Sequence, residues 1–407
     1  MNRITLMSVI LILCIMAGPA MAQVDDTALD ETGEKTYTHV PFSLSFVPNV
    51  SIGGLMGGDI ITNVSINVLA GRYAKLRGVE FGSILNWETE EVTGVQFSGV
   101  ANFLEQGDLN GIQVSGVANY VGRDVITGGQ IGNINYVGGA IKGGQIGNVN
   151  YVADSFNGPQ IGNVNYIGGA IKGGQMGNVN YVGDSIHGFQ IGTVNYVNYI
   201  GSNINRGAQI GVVNVGGEIA GSQIGVVNIA RKVRGAQIGV VNYADEMDGA
   251  PVGIFSFVRK GQIHMDVWAS DTSMANIALK TGSKHVYSIL AAGYQPPLGD
   301  DPYRWSTGIG IGGHIPFGSK FVNIEALSFH VNEDKAWEND LHMINKLRLI
   351  GGWEVNPKLS VFAGLTLNVF VSEVNDGDHI ATGSFYDHDG DDTWVRMWPG
   401  FVAGVQF

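Results

Sequence analysis

The sequence has almost no cysteine. The single cysteine of its 407 residues is Cys14, within an apolar run from Ile4 to Met16 that follows a basic start and precedes the small residues 20–22. This arrangement is typical of a signal peptide, so we expect residues 1–22 to be removed on export. Leu13 stands where a lipoprotein signal would have a small residue, which argues against lipid attachment. The mature chain would then lack disulfides, thiolate metal sites and cysteine nucleophiles.

Charge, proline and long apolar runs are also scarce. Charged residues make up 14% of the chain, hydrophobic residues 44%, and the net charge is −13. This is the reverse of the composition of disordered proteins. The negative charge, with no basic stripe to offset it, argues against a nucleic-acid partner. No run beyond the signal peptide reaches 18 apolar residues, so the mature chain could enter a membrane only as a closed β-barrel.

Glycine is abundant, at 61 residues, and much of it belongs to a repeat. The repeat occurs five times between Gly128 and Tyr196, as GGQIGNINYV, GGQIGNVNYV, GPQIGNVNYI, GGQMGNVNYV and GFQIGTVNYV. Its glutamine recurs every 15 residues, and fainter copies on both sides bring the array to about eleven units over residues 78–257. The array therefore sets the architecture of this region.

The spacing inside the unit predicts a bend. The step from the glutamine to the asparagine is six residues in the first three copies of the whole array, which start at Glu80, Gln96 and Gln113. It is five residues in all later copies. In a straight strand, that change would turn every later side chain to the other face. A bend at the central glycine removes the conflict, since glycine adopts corner conformations easily. Each copy then resembles one coil of a β-solenoid. The alternative is a single large up-and-down β-barrel with one strand and one turn per copy.

Stacked coils would align the repeated amides in two ladders. The glutamines from Gln96 to Gln237 would form one, and the asparagines from Asn102 to Asn242 the other. Stacked amides can hydrogen-bond from coil to coil. We expect the ladders to lie in the interior or to stabilise an edge, with the neighbouring Ile and Val residues filling the interior. An outward face that binds a glycan or ice is the alternative.

After residue 257 the repeat ends and about eight strand-length runs follow. In one of them, Leu359, Val361, Ala363, Leu365, Leu367 and Val369 share a face. Long acidic connections lie at 332–341 and 373–394, and the chain ends on Phe407. Alternation, unequal loops and a terminal aromatic residue are typical of an outer-membrane β-barrel. A water-soluble barrel or sandwich is the alternative. We thus expect an all-β chain with a polar start and capping strands (23–77), the array (78–257) and an antiparallel barrel-like domain (258–407).

Three segments together resemble a known family. The GVQIGxVN-type repeat, the preceding NVSINVLAG and the closing MWPGFVAGVQF are similar to the bacterial surface-repeat proteins first named from leptospiral genomes. The resemblance covers roughly residues 41–407 and implies an envelope or surface location. It implies no catalytic residues. The missing lipobox departs from those relatives that are lipoproteins.

Two motifs suggest catalysis or cofactor binding only superficially. Asp184 and Ser185, with His187 nearby, are similar to the start of an esterase motif, in which a serine needs a histidine base. The same slot of an earlier repeat holds Asp154 and Ser155, so loop chemistry explains the match. The glycines of 308–313 have the spacing of a dinucleotide fingerprint but lack the following helix, so we interpret them as strand glycines.

One acidic segment is a candidate cation site. Asp387, Asp389 and Asp391 lie close together around Gly390. Carboxylates on a glycine-bent loop are suitable ligands for calcium. The distant bidentate glutamate of a full EF-hand loop is absent, so a solvated acidic loop is the alternative. We expect no other cofactor.

The sequence therefore predicts an exported, non-enzymatic envelope protein, structural or adhesive, at or in the outer membrane of a Gram-negative bacterium. Outer-membrane lipid is the expected partner, and a protein or glycan partner is left open. A ligand- or ion-binding barrel of the periplasm or surface is the alternative. An outer-membrane hydrolase that depends on Ser185 comes last.

Overall fold

The computed structural model describes residues 35–52, 54–55, 59–122, 125–198, 204–299, 301–381, 383–390 and 392–407. The predicted signal peptide lies outside this part of the chain. The described residues are all-β, and they include no helix that is long and apolar enough to cross a membrane. The chain forms two compact units, residues 1–147 and 148–407.

The first unit contains twelve strands. They are β1 (Thr38–Val47), β2 (Val50–Ser51), β3 (Gly54–Leu55), β4 (Ile60–Asn67), β5 (Ala70–Gly82), β6 (Leu85–Ser98), β7 (Ala101–Leu104), β8 (Leu109–Ser115), β9 (Ala118–Val121), β10 (Ile126–Ile131), β11 (Ile134–Val137) and β12 (Ile141–Ile146).

The second unit continues the repeat and then changes architecture. Its repeat strands are β13 (Val149–Val152), β14 (Phe156–Ile161), β15 (Val164–Ile167), β16 (Ile171–Met176), β17 (Val179–Val182), β18 (Ile186–Val197), β19 (Ile204–Ile219), β20 (Ser222–Ile224), β21 (Val227–Val233), β22 (Ala236–Met247) and β23 (Ala250–Val258). The remaining strands are β24 (Gln262–Ser270), β25 (Ala275–Gly282), β26 (Val286–Gln295), β27 (Arg304–Phe317), β28 (Lys320–Glu333), β29 (His342–Asn356), β30 (Leu359–Ser372), β31 (Tyr386–Asp389) and β32 (Trp394–Gln406).

The repeats form a β-solenoid in both units. Strands of successive coils pair in parallel and in register, so that Gln130 lies beside Gln113 and Gln175 beside Gln160. The coil bends between the two strands, at the central glycine, as predicted. An up-and-down barrel needs antiparallel neighbours, so the alternative of one large barrel is wrong.

The bend also absorbs the change of spacing inside the repeat. Gln113 and Asn119 are six residues apart, whereas Gln130 and Asn135 are five apart. Both glutamines still pair with each other, and so do both asparagines. The extra residue therefore lies at the corner, where it leaves the register of the two strands unchanged.

The amide ladders lie inside the solenoid. Gln130 Nε2 donates to Gln113 Oε1 at 2.9 Å, and Asn119 Nδ2 donates to Asn135 Oδ1 at 2.9 Å. A second bond from Asn119 reaches the carbonyl of Ile131 at 2.9 Å. The glutamines donate towards earlier coils and the asparagines towards later ones. An amide within a ladder is thus paired in both directions, as burial requires, whereas Gln237, the last glutamine, keeps an unpaired Oε1.

The isoleucine after each glutamine points outwards, so that part of the prediction is wrong. Ile146 is 49% exposed while Gln145 is buried. Side chains alternate across a strand, so an interior glutamine places its neighbour outside. The apolar interior comes instead from residues four before the glutamine and two after the asparagine, such as Ile141 and Val152.

The positive backbone φ belongs to the first glycine of the repeat, and not to the central one. Gly143 has φ of 147°, and a β-carbon there would lie 1.6 Å from the carbonyl oxygen of Gly128. The central Gly147 is crowded by the previous coil but keeps an ordinary φ. Both glycines are therefore needed because backbones of adjacent coils pass close together.

The tyrosines that follow the asparagines form a third ladder. Tyr166 and Tyr181 stack with ring centroids 4.7 Å apart and an interplanar angle of 1°. Tyr120 and Tyr136 stack in the same way in the first unit, at 5.0 Å. The rings are half-buried on the outer surface. There the spacing between coils is close to the centroid separation that stacked aromatic rings prefer.

After the last coil the chain forms a closed antiparallel β-barrel of eight strands, β24 to β30 and β32. Neighbouring strands pair as hairpins, and β24 pairs with β32, where Asp266 lies opposite Gln406. The short β31 pairs with the start of β32 and belongs to the long connection after β30. The predicted eight-stranded barrel is confirmed.

Candidate functional site

The barrel wall is apolar on its outer surface. In β30 (Leu359–Ser372), Leu365 is 70% exposed, whereas Thr366 and Asn368 are buried in the lumen. The predicted shared face of Val361, Leu365 and Leu367 is confirmed, and it points away from the lumen. Other strands contribute the same kind of residue to this outer wall: Val267, Ile277, Leu279, Ile309, Ile311, Ile324, Leu347, Leu349 and Phe401.

The lumen is polar and charged. Its buried polar side chains include Asp266, Lys280, Asn323, Glu325, Lys346, Arg348, Ser360, Thr366, Asn368 and Gln406. Aromatic rings of Trp268, Tyr287, Phe321, Phe329 and Phe362 fill the space between them. A water-soluble barrel has the opposite arrangement, because burying charge and exposing aliphatic side chains both cost free energy in water.

A network of charged groups closes the middle of the lumen. Glu325 accepts hydrogen bonds from Lys280 at 2.5 Å, from Tyr287 at 2.6 Å and from Arg348 Nε at 2.9 Å. Lys280 also pairs with Asp266 at 2.5 Å, and Asp266 accepts from Gln406 at 2.9 Å. Two acids thus balance two bases across the lumen.

The glycines of 308–313 lie within strand β27, as predicted. A β-carbon at Gly308, Gly310 or Gly312 would collide with Phe329, Leu327 or Tyr287, respectively. These glycines therefore make room for the large lumen side chains of neighbouring strands. They follow a strand pattern and are not followed by a helix.

The acidic loop converges on an arginine. Arg396 contacts Asp387 at 3.1 Å, Asp389 at 3.4 Å and Asp378 at 3.0 Å. Hydrogen bonds from Ser384 and Arg396 lower the pKa of Asp387. Asp391 lies outside the described residues, among which no group of three or more His, Cys, Asp or Glu side chains could hold a metal ion. Calcium binding by this loop stays a prediction.

The esterase-like residues of the array lie at the edge of a coil. His187 is exposed in β18 and stacks in register between Lys172 and Arg206 of the adjacent coils. Asp184 and Ser185 form the connection just before β18, where Asp184 donates its amide to the carbonyl of Gly169. The slot repeats from coil to coil, as the loop interpretation requires.

A serine, a histidine and a glutamate that are distant in sequence meet at the loop end of the barrel. Ser372 Oγ lies 2.8 Å from His342 Nδ1, and His342 Nε2 lies 3.7 Å from Glu333. These types in this order resemble a hydrolase triad. However, Ser372 is buried and accepts bonds from the amides of residues 374 and 375 at 2.9 and 3.2 Å. Its hydroxyl therefore caps the start of the loop.

A small cavity lies nearby, lined by Arg304, Lys346 and Thr272. It offers about 20 Å³ to the centre of a water-sized sphere. That space holds about one water molecule or one small ion and is too small for an organic ligand.

Comparison of the chain with protein-family models, with curated proteins and with solved structures found no match.

Proposed function

We propose that this protein is a non-enzymatic, structural component of a Gram-negative outer membrane, held there by its eight-stranded barrel. The observation that carries the proposal is the inverted polarity of the barrel, with Leu365 and its neighbours outside and the Glu325 network inside. An outer wall of this composition suits lipid acyl chains. The balanced charges and aromatic rings fill the lumen, which favours an anchor over a pore.

The connections between strands support an orientation. Residues 283–285, 318–319 and 357–358 form short turns at one end of the barrel, whereas 296–303, 334–341 and 373–393 form long loops at the other. Outer-membrane barrels keep short turns in the periplasm and long loops outside. The last coil ends at Val258 and β24 begins at Gln262, so the array joins the short-turn end. We therefore assign the array to the periplasm, as a scaffold.

Membrane fractionation tests the anchoring. The protein should stay with outer membranes through a urea wash, and on an unheated gel it should migrate differently from the boiled sample. A protein that washes off as a soluble monomer would contradict the proposal and favour a periplasmic or secreted ligand-binding role.

Cysteine labelling tests the orientation, since Cys14 lies in the predicted signal peptide and the mature chain has no other cysteine. Ala336→Cys places a thiol in an exposed long loop, and Lys172→Cys places one on the array. On intact cells a membrane-impermeant maleimide should label only the loop variant. After permeabilisation it should label both variants. Labelling of the array on intact cells would contradict the assignment of a periplasmic scaffold. It would favour display of the array at the cell surface and an adhesive role.

A further inference from the structure

The last four coils of the solenoid have an outer surface that differs from that of the coils directly before them in the second unit. In the second unit, the residue directly after each glutamine is apolar and exposed. Two positions further on, the earlier coils have Asn163, Asn178 and Thr193. In the last four coils, exposed aliphatic side chains occupy both of these positions, the first and the third after the glutamine. This aliphatic face consists of Ile210, Val212, Ile224, Val226, Ile238, Val240, Val252 and Ile254.

The coil itself does not require this change. Val226 is 46% exposed, and the asparagine at the matching position of earlier coils belongs to the same coil structure, with the same interior amides. A contiguous exposed aliphatic surface is unfavourable in water and marks an interaction site. The coil fold therefore does not by itself decide which residue occupies this position.

The aliphatic face is continuous with the outer wall of the barrel. Val240, Val252 and Ile254 line one groove together with wall residues such as Ile309, Ile311 and Leu347. The last coil also packs directly on the wall, where Ser288 Oγ donates to the carbonyl of Gly253 at 2.6 Å and lies 2.9 Å from Ser256 Oγ. That contact pairs a hydroxyl of the wall.

We infer that the aliphatic face of the last four coils lies against lipid acyl chains of the periplasmic leaflet of the membrane that the barrel spans. The inference rests on the proposed function, because whatever fills the groove touches Ile309 and Leu347 on one side and Val240 and Ile254 on the other. Lipid that covers the wall therefore covers the adjacent coils. The asparagine-bearing coils, further along the array from the barrel, face water.

Spin labels at matched positions test this inference. Val226→Cys lies on the aliphatic face, Asn178→Cys occupies the same position in an earlier coil, and Leu365→Cys marks the barrel wall. Each variant of the mature protein, which lacks Cys14, is labelled and reconstituted in phosphatidylethanolamine–phosphatidylglycerol vesicles. Collision with oxygen, which concentrates in lipid, is compared with collision with a water-soluble nickel chelate. Positions 226 and 365 should favour oxygen several-fold, and position 178 should favour nickel.

The outcomes separate the inference from the proposed function. If position 365 favours nickel, the barrel is not in lipid and both fail. If position 365 favours oxygen while position 226 behaves like position 178, only the inference fails. Strong spin–spin broadening at position 226 would mean that a second copy covers the face, which also overturns the inference.

Discussion

The identity of single residues in the array is strongly constrained, because each side chain contacts its counterpart in the next coil. The N-terminal coils show what happens when the ladder is interrupted. Glu80 takes the place of the glutamine and accepts from Asn67 at 2.7 Å and from Gln96 at 2.9 Å. Gln96 also donates to Glu88, which is fully buried. Two carboxylates therefore share one interior, and one amide group bonds both.

This pair makes the first unit sensitive to pH. Burial and the neighbouring Glu80 raise the pKa of Glu88 well above its ordinary value of 4.5. The folded state thus holds a proton that the unfolded state has released, and stability falls as pH rises from 4.5 towards the raised pKa. Glu88→Gln should remove this loss. The guanidinium unfolding midpoint of the variant, followed by circular dichroism, should exceed that of the parent protein by more at pH 7 than at pH 4.5.

Glu90 provides a control of opposite sign. Burial raises its pKa, but hydrogen bonds from Lys35 and Tyr37 outweigh burial and lower the pKa overall. Its contribution to stability is therefore lost as pH falls, so Glu90→Gln should destabilise the protein most at neutral pH. A Glu88→Gln variant whose stability keeps the pH dependence of the parent protein would contradict the account of the buried pair.

At the scale of elements, the coil is the unit that repeats. Each coil contacts its neighbours through the parallel strands, two amide ladders and, in the central coils, the stacked tyrosines. Stability of such an array is close to a sum of coil terms and nearest-neighbour terms. In the strand register of the described residues, each coil in the middle of the second unit pairs only with the coils next to it.

Deletion of one complete coil should therefore be tolerated. Removing residues 160–174 brings Gln175 into the place of Gln160, with the same partners for its amide. We expect a folded protein whose barrel still shows the heat-dependent gel shift. Removing only residues 160–166 takes away one rung of each ladder but leaves the rest of the coil, and this variant should aggregate or be degraded. Equal behaviour of the two deletions would contradict the modular account.

At the scale of the whole molecule, one chain combines two all-β architectures with opposite requirements. The solenoid pairs strands in parallel and buries amides beside aliphatic side chains, whereas the barrel pairs strands antiparallel and buries charges beside aromatic rings. At the centre of the barrel, the charges of Lys280 and Arg348 are compensated by Glu325 and Asp266. Lys280 and Arg348 both depend on Glu325.

Loss of that acid should weaken the barrel. Glu325→Ala leaves two buried cations with a single remaining acid nearby, Asp266, and breaking a buried ion pair in this way costs about 3 to 5 kcal/mol. The temperature at which the unheated form converts to the boiled form on a gel should fall. Glu354→Ala, which removes an exposed carboxylate of the same barrel, should leave it unchanged. Equal conversion temperatures would show that the network contributes little.

Local patterns were sufficient to predict much of this structure. The period of 15 residues predicts stacked coils, and the change from six to five residues between Gln113–Asn119 and Gln130–Asn135 predicts a corner, because a strand has no other way to absorb one residue. Alternation in residues 359–370 likewise predicts a barrel strand with one apolar face. These features depend on neighbours along the chain, so they can be read without coordinates.

Tertiary structure decided which side each face occupies and which distant residues meet. Alternation in a strand is symmetric, so only closure of the barrel shows that Leu365 points outwards, and only the stacking of coils places Gln145 inside and Ile146 outside. Ser372, His342 and Glu333 come from different strands and carry no joint signal in the sequence. Such contacts arise from strand register across the closed sheet, which no local spacing encodes.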